Sequence, residues 1–163
     1  MAYSCAVCGK PHEGLPDLGI DRPDPWWGVP EAEREQRIRL TSDHCVIDER
    51  DYFIRGVLSL PILGTDRSFG FGVWVSQKKE NFEKYLERPE DRGIGPFFGW
   101  LSTRISFYPR DTFLLKTMAH FRGGGLRPRI ELEPSDHPLA LDQRHGITEE
   151  KAWDIVHWSI AGV

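Results

Sequence analysis

Cysteine is scarce in this chain. Its 163 residues include three, an odd number, and two of them form Cys5-Ala6-Val7-Cys8. That count argues against a secreted disulfide framework and favours reduced thiols used for metal or redox chemistry. A basic surplus is also lacking. Lys and Arg total 21 against 25 Asp and Glu, a formal charge of -4, the opposite of what a non-specific nucleic-acid binder needs. Apolar runs are far too short for a membrane-spanning helix. Met1-Ala2-Tyr3-Ser4-Cys5 has no basic n-region and no apolar h-region, so no secretory signal is expected and the expected compartment is the cytoplasm. There is no Gly-x-Ser-x-Gly, P-loop, His-Glu-x-x-His or dinucleotide fingerprint, hence no reaction to name. No repeat, low-complexity tract or linker divides the chain, and residues 1–163 are read as one domain.

What is present is turn-rich and aromatic. Six Trp and nine Phe suggest an aromatic core or cleft, while 12 Pro and 16 Gly favour short elements over long helices. Arg37 to Ser76 reads as three β-strands in a row, RIRLTSDHCVID, YFIRGVLSLPIL and SFGFGVWVS. β-branched and aromatic residues dominate them, and Gly/Asp-rich breaks divide them, as in an antiparallel meander. In the third, Gly70, Gly72, Trp74 and Ser76 share a face that admits a close-lying helix or loop.

Residues 1–30 are studded with proline and glycine, so no helix runs through them. Pro30 opens a short helix. Ser76 is expected to cap a helix over Gln77–Glu87 that Pro89 stops. GIGPFFGWLSTRI reads as an aromatic loop leading into another strand, TFLLKTMAHF as a strand, and LRPRIELEP as a strand that Pro128 places at an edge or a bulge. Residues 135–160 predict two helices, the first capped by Ser135 or Asp136 and the second by Thr148. The fold class is therefore α+β: a mostly antiparallel β-sheet of about five to seven strands with short helices and a zinc-knuckle-like N-terminal loop.

Three groupings could carry chemistry. Cys5 and Cys8, followed by Gly9, can form half of a structural zinc site, which takes four tetrahedral ligands. His12 is within loop reach and Cys45 is the remaining thiol, so the candidate set is Cys5, Cys8, His12 and Cys45; it would staple the N-terminal loop to the sheet. The plainer reading is three ordinary thiols, Cys45 in the core. Second, Arg55, Trp74, Lys116, His120 and Arg122 would form a basic, aromatic-walled face for an anionic small molecule or acidic protein if their strands share one side. Scattered charges on a solvated face explain them equally simply, with Arg55 paired to Glu131 or Glu133. Third, Asp136-His137 suggests acid/base chemistry, against the simpler reading of a helix start. Trp26-Trp27 is either a recognition surface or, on burial statistics, packing.

The runs CAVCGKPHEGLP, LTSDHCVIDERDYFIRGVLSLPI, FGFGVWVSQKKENFEKYL, FFGWLS and IELEPSDHPLALDQRHGIT together resemble the bacterial family called domain of unknown function 2199. The resemblance covers nearly the whole chain. It implies a single cytoplasmic α+β domain, supports grouping Cys5, Cys8, His12 and Cys45, and brings no activity. The expected function is a zinc-stabilised binding module for a protein or small anionic ligand, with no nucleic-acid or membrane partner. The rivals are a small hydrolase-like enzyme using His120 or His137 and an immunity-type inhibitor.

Overall fold

The computed structural model describes residues 15–161 and, as backbone, two short strands, β1 (Tyr3–Ser4) and β2 (Pro11–His12), which pair antiparallel. The remaining strands form one eight-stranded sheet. They are β3 (Leu18–Gly19), β4 (Ile38–Leu40), β5 (His44–Ile47), β6 (Asp51–Pro61), β7 (Ser68–Gln77), β8 (Phe97–Trp100), β9 (Lys116–His120) and β10 (Arg129–Leu132). The helices are α1 (Arg34–Arg37), α2 (Lys79–Glu87), α3 (Pro138–His145) and α4 (Glu149–Ile160), and two 3₁₀ turns lie at Asp24–Gly28 and Glu31–Glu33. No helix among the described residues is long and apolar enough to cross a membrane.

The sheet runs β3-β7-β6-β10-β9-β8, with β5 and then β4 branching from β6. Pairing is antiparallel except where β3 meets β7 and β10 meets β6. The expected α+β class with a mostly antiparallel sheet is what the chain forms. The β6–β7 ladder is its spine, pairing Tyr52 with Gln77 through to Pro61 with Ser68. Beyond β8, a bridge joins Leu101 to Val75 and the Ser102 amide donates to the Trp74 carbonyl. The sheet therefore curls until its last strand approaches β7 again. Gly99 permits that approach: a Cβ there would strike the Ser76 carbonyl.

Alternation along the spine gives the sheet two different faces. The inner face carries Ile54, Leu58, Phe69, Phe71 and Val73 into the main core, where Leu139 of α3 and Ile155 and Val156 of α4 meet them. The outer face carries a second, smaller cluster of Cys45, Ile47, Phe53 and Trp74, closed by Val29 from the N-terminal segment.

Four expectations needed correction. LRPRIELEP does not lie at an edge: β10 runs between β6 and β9, and Pro128, just ahead of it, accepts the Val57 amide through its carbonyl. RIRLTSDHCVID is a hairpin, not one strand. The Thr41 hydroxyl accepts the Asp43 and His44 amides at 3.2 and 3.0 Å and turns the chain between β4 and β5. In TFLLKTMAHF, Leu114 takes a positive φ of 68°, and only Lys116–His120 is strand. Ser76 stays in β7, its hydroxyl accepting the Trp100 amide, and α2 begins later without a side-chain cap.

Candidate functional site

The zinc set falls mostly outside the described residues: Cys5 and Cys8 do so entirely, and His12 is seen only as backbone in β2. Cys45 is described. It is fully buried in the apolar cluster with Phe53 and Trp74, and burial pushes its thiol up to about 12. A thiol so placed stays protonated in the absence of a cation. Among the described residues no group of three or more His, Cys, Asp or Glu side chains is gathered to hold a metal.

The expected ligand face divides in two. Strand register puts Arg55, Trp74, Lys116 and His120 all on the outer side: Arg55 stands opposite Trp74, and Arg129 stands opposite both Val57 and His120. The half built by β6 and β7 is covered. Trp74 is 0% exposed, and its indole N–H donates to the Ile20 carbonyl at 2.8 Å. Arg55 is 8% exposed, beneath Gly19, where a Cβ would approach its guanidinium to 3.0 Å. What lies against Gly70 and Gly72 is thus the segment Asp17–Asp21, which includes β3.

Arg55 does not pair with Glu131 or Glu133. Its carboxylate is Asp21, 3.6 Å away, and it donates to the Ser42 carbonyl at 3.2 Å. Burial first, then the nearby Arg127 charge, pulls its pKa below the ordinary arginine value. Arg127 in turn is held by Asp43 at 2.9 Å, and its carbonyl accepts Nε of Arg122. Arg122 lies past the end of β9 and belongs to this arginine group rather than to the β9 face.

The half built by β8 and β9 is open. Lys116, Met118 and His120 alternate outward on β9. Trp100 stands opposite Lys116 and Phe98 opposite Met118. Phe98 and Trp100 are each 41% exposed and meet edge-on at 5.1 Å. A cleft of about 310 Å³ opens beside them, lined by Arg50, Ser76, Gln77 and Lys78 among others. Gln77 is buried, and its Oε1 has no hydrogen-bond partner. Phe98 and Trp100 were missed as site residues when PFFGWL was read as a loop. The signal was available: two large aromatics two residues apart, alternating with Phe97 and Gly99.

His120 sits at the far end of this face. Its Nε2 lies 3.3 Å from Glu131 Oε1, and Arg129 reaches the other oxygen of that carboxylate at 3.8 Å. The pair is solvent-exposed; Glu131 lines a cleft of about 210 Å³ with Pro134, Gln143 and Arg144, while His120 lines none of the clefts described. His137 has other duties. It is itself the N-cap of α3, in place of Ser135 or Asp136: Nδ1 accepts the Leu139 amide at 3.0 Å. Nε2 faces the Arg110 and Asp111 carbonyls at 3.2 and 3.1 Å and donates to them. Both ring nitrogens of this buried neutral imidazole are spent on backbone, which leaves neither for proton transfer.

The family comparison agrees with the sequence resemblance. A family model described as uncharacterized protein conserved in bacteria, DUF2199, matches residues 4–147. The chain belongs to this family. No curated protein and no solved structure matches the DUF2199 chain. The matched span takes in the whole sheet and α3 and stops just short of α4.

The capping role of His137 predicts a graded response. His137→Ala should cost about 2–3 kcal/mol in chemical denaturation, from a lost cap and emptied volume. His137→Asn, whose carbonyl can still cap, should recover about 1 kcal/mol of it. Equal losses in the two variants would contradict the assignment.

Proposed function

We propose that the chain is a binding module whose docking surface is the open β8–β9 end of the outer face. The observation carrying this reading is the exposed Phe98–Trp100 pair beside the Gln77 cleft. Elsewhere the outer face hides its largest aromatics, Phe53 and Trp74, in a packed cluster. Exposed aromatic side chains next to a cleft are the usual anchors of protein interfaces, because they bury large areas at small entropic cost.

Charge indicates the kind of partner. Arg50 and Lys78 line the cleft and Lys116 stands opposite Trp100. The carboxylate in the cleft lining, Asp51, is engaged by Arg50 at 3.4 Å. An apolar or aromatic anchor flanked by a carboxylate complements that lining, as does a protein segment carrying both. The hydrolase-like alternative has less support: His137 is committed to backbone, and His120 is solvent-exposed and outside the cleft that Glu131 lines. An immunity-type inhibitor is one form an interaction module can take, and no residue here singles it out.

Panning a displayed random-peptide library on the immobilised protein tests the surface. Peptides combining acidic and apolar residues should be enriched. Trp100→Ala should weaken their binding by about tenfold or more, as for an interface hot spot of at least about 1.4 kcal/mol, with the melting temperature nearly unchanged. Absence of enrichment, or equal binding to Trp100→Ala, would contradict the proposal.

A structural zinc bound by Cys5, Cys8 and His12 is part of the same proposal, with Cys45 the member whose apolar surroundings oppose it. Elemental analysis should find about one zinc per chain, lost in Cys8→Ala. Cys45→Ala then distinguishes a staple to the sheet, which would lose the metal, from a site confined to the N-terminal segment, which would keep it. Folded but metal-free wild-type protein would remove zinc from the account.

A further inference from the structure

The 3₁₀ turn Asp24–Gly28 presents Trp26 and Trp27, with ring centroids 4.7 Å apart and planes nearly perpendicular. Two arginines converge on Trp26. The guanidinium carbon of Arg22 lies 4.2 Å from its centroid and that of Arg34 lies 3.8 Å away. They reach Trp27 as well, at 5.9 and 5.5 Å. Local structure fixes Arg34 against Trp26: Arg34, on α1, donates Nε to the Val29 carbonyl at 2.9 Å, while the Trp26 carbonyl accepts the Val29 amide. Trp27 is 62% exposed.

These arginines differ from most others on the segment in having no carboxylate partner among the described residues. Asp21 is engaged by Arg55, Asp24 by Arg104 and Glu33 by Arg37. Glu31 and Glu35 are exposed and pair with neither Arg22 nor Arg34. The Nε of Arg22 is buried without a hydrogen-bond partner. Two like charges on one indole, one of them with an unsatisfied buried donor, form an arrangement that an oxyanion completes: it offsets the repulsion and accepts the free N–H groups. The acidic residues of the same segment, Asp21, Asp24, Glu31, Glu33 and Glu35, disfavour a multiply charged polyphosphate relative to a single carboxylate.

We infer that Arg22, Trp26 and Arg34 form a carboxylate-binding site that takes the side chain of an acidic peptide, with exposed Trp27 supporting an apolar neighbour. The inference stands on residues separate from Phe98 and Trp100. Both clusters border the same region of the outer face, because the Asp24 amide donates to the carbonyl of Ser102, two residues past Trp100.

Titrating the full-length protein with tri-glutamate at constant ionic strength, and following tryptophan emission, tests it. A saturable change is expected with tri-glutamate and none with tri-lysine. Arg22→Gln, which removes no ion pair, should weaken the response at least tenfold at an unchanged melting temperature. Arg34→Gln should do the same, and Arg39→Gln, an exposed arginine on β4, should leave it intact. Absence of saturation in the wild-type protein, or wild-type affinity retained in Arg22→Gln or in Arg34→Gln, would overturn the site. Tighter binding of inorganic phosphate than of tri-glutamate would overturn the carboxylate assignment.

Discussion

Trp74 is held at the meeting point of three chain segments, and the outer face depends on how it is held. Its backbone amide donates to the Thr103 hydroxyl and its carbonyl accepts the Ser102 amide, which ties β7 to the chain beyond β8. Its indole N–H donates to Ile20, which ties β7 to the N-terminal segment. The bare backbone of Gly70 and Gly72 lets that segment lie close. The Gly70 amide donates to Asp17 at 3.0 Å, and the Gly72 carbonyl accepts the Ile20 amide at 3.1 Å. Fully burying an indole contributes several kcal/mol, a large share of the stability of a domain this size. Trp74 and Arg55 are therefore bound up in holding the cover in place, and recognition is left to the half of the sheet that the cover does not reach.

That division explains how a single sheet face can be structural at one end and open at the other. Residues 17–38 close over β6 and β7 and bury Cys45, Phe53 and Trp74 in a dry cluster. Past Trp74 the sheet curls, and β8 and β9 turn Phe98, Trp100, Met118 and Lys116 outward. The cover contributes its own outward-facing group, the two arginines gathered on Trp26. An apolar anchor on one cluster and an acidic contact on the other would suit one extended partner segment.

The spine was readable from sequence because period-two alternation over ten or eleven residues is a strong local signal. Alternation placed Arg55 and Trp74 each on a face of its own strand, but whether Lys116 and His120 share that side was left conditional on strand pairing, which sequence does not reveal. The exposure of Arg55 and Trp74 was not readable. It depends on Asp17–Asp21, five residues lying between Pro16 and Pro23 and too short to show periodicity, whose position is set by Gly70 and Gly72, some fifty residues away in sequence. The β4–β5 turn was missed because Thr41 bends the chain through its own hydroxyl, without the Gly or Pro that usually marks a turn. β8 was read as a loop because four residues with a central glycine carry little strand signal; it exists through pairing with β9 and close passage past Ser76. His137 as a cap was hidden because histidine is not a usual N-cap residue, and two carbonyls from a distant turn select the tautomer that makes it one.

Hydroxyl-radical footprinting of the native protein, with each tryptophan quantified by peptide mass spectrometry, tests the central claim that residues 17–38 seal one half of the outer face and leave the other open. Trp27 and Trp100 should be oxidised rapidly, and Trp74 only after denaturant unfolds the chain. Oxidation of Trp74 in the native protein at a rate close to that of Trp100 would contradict the account.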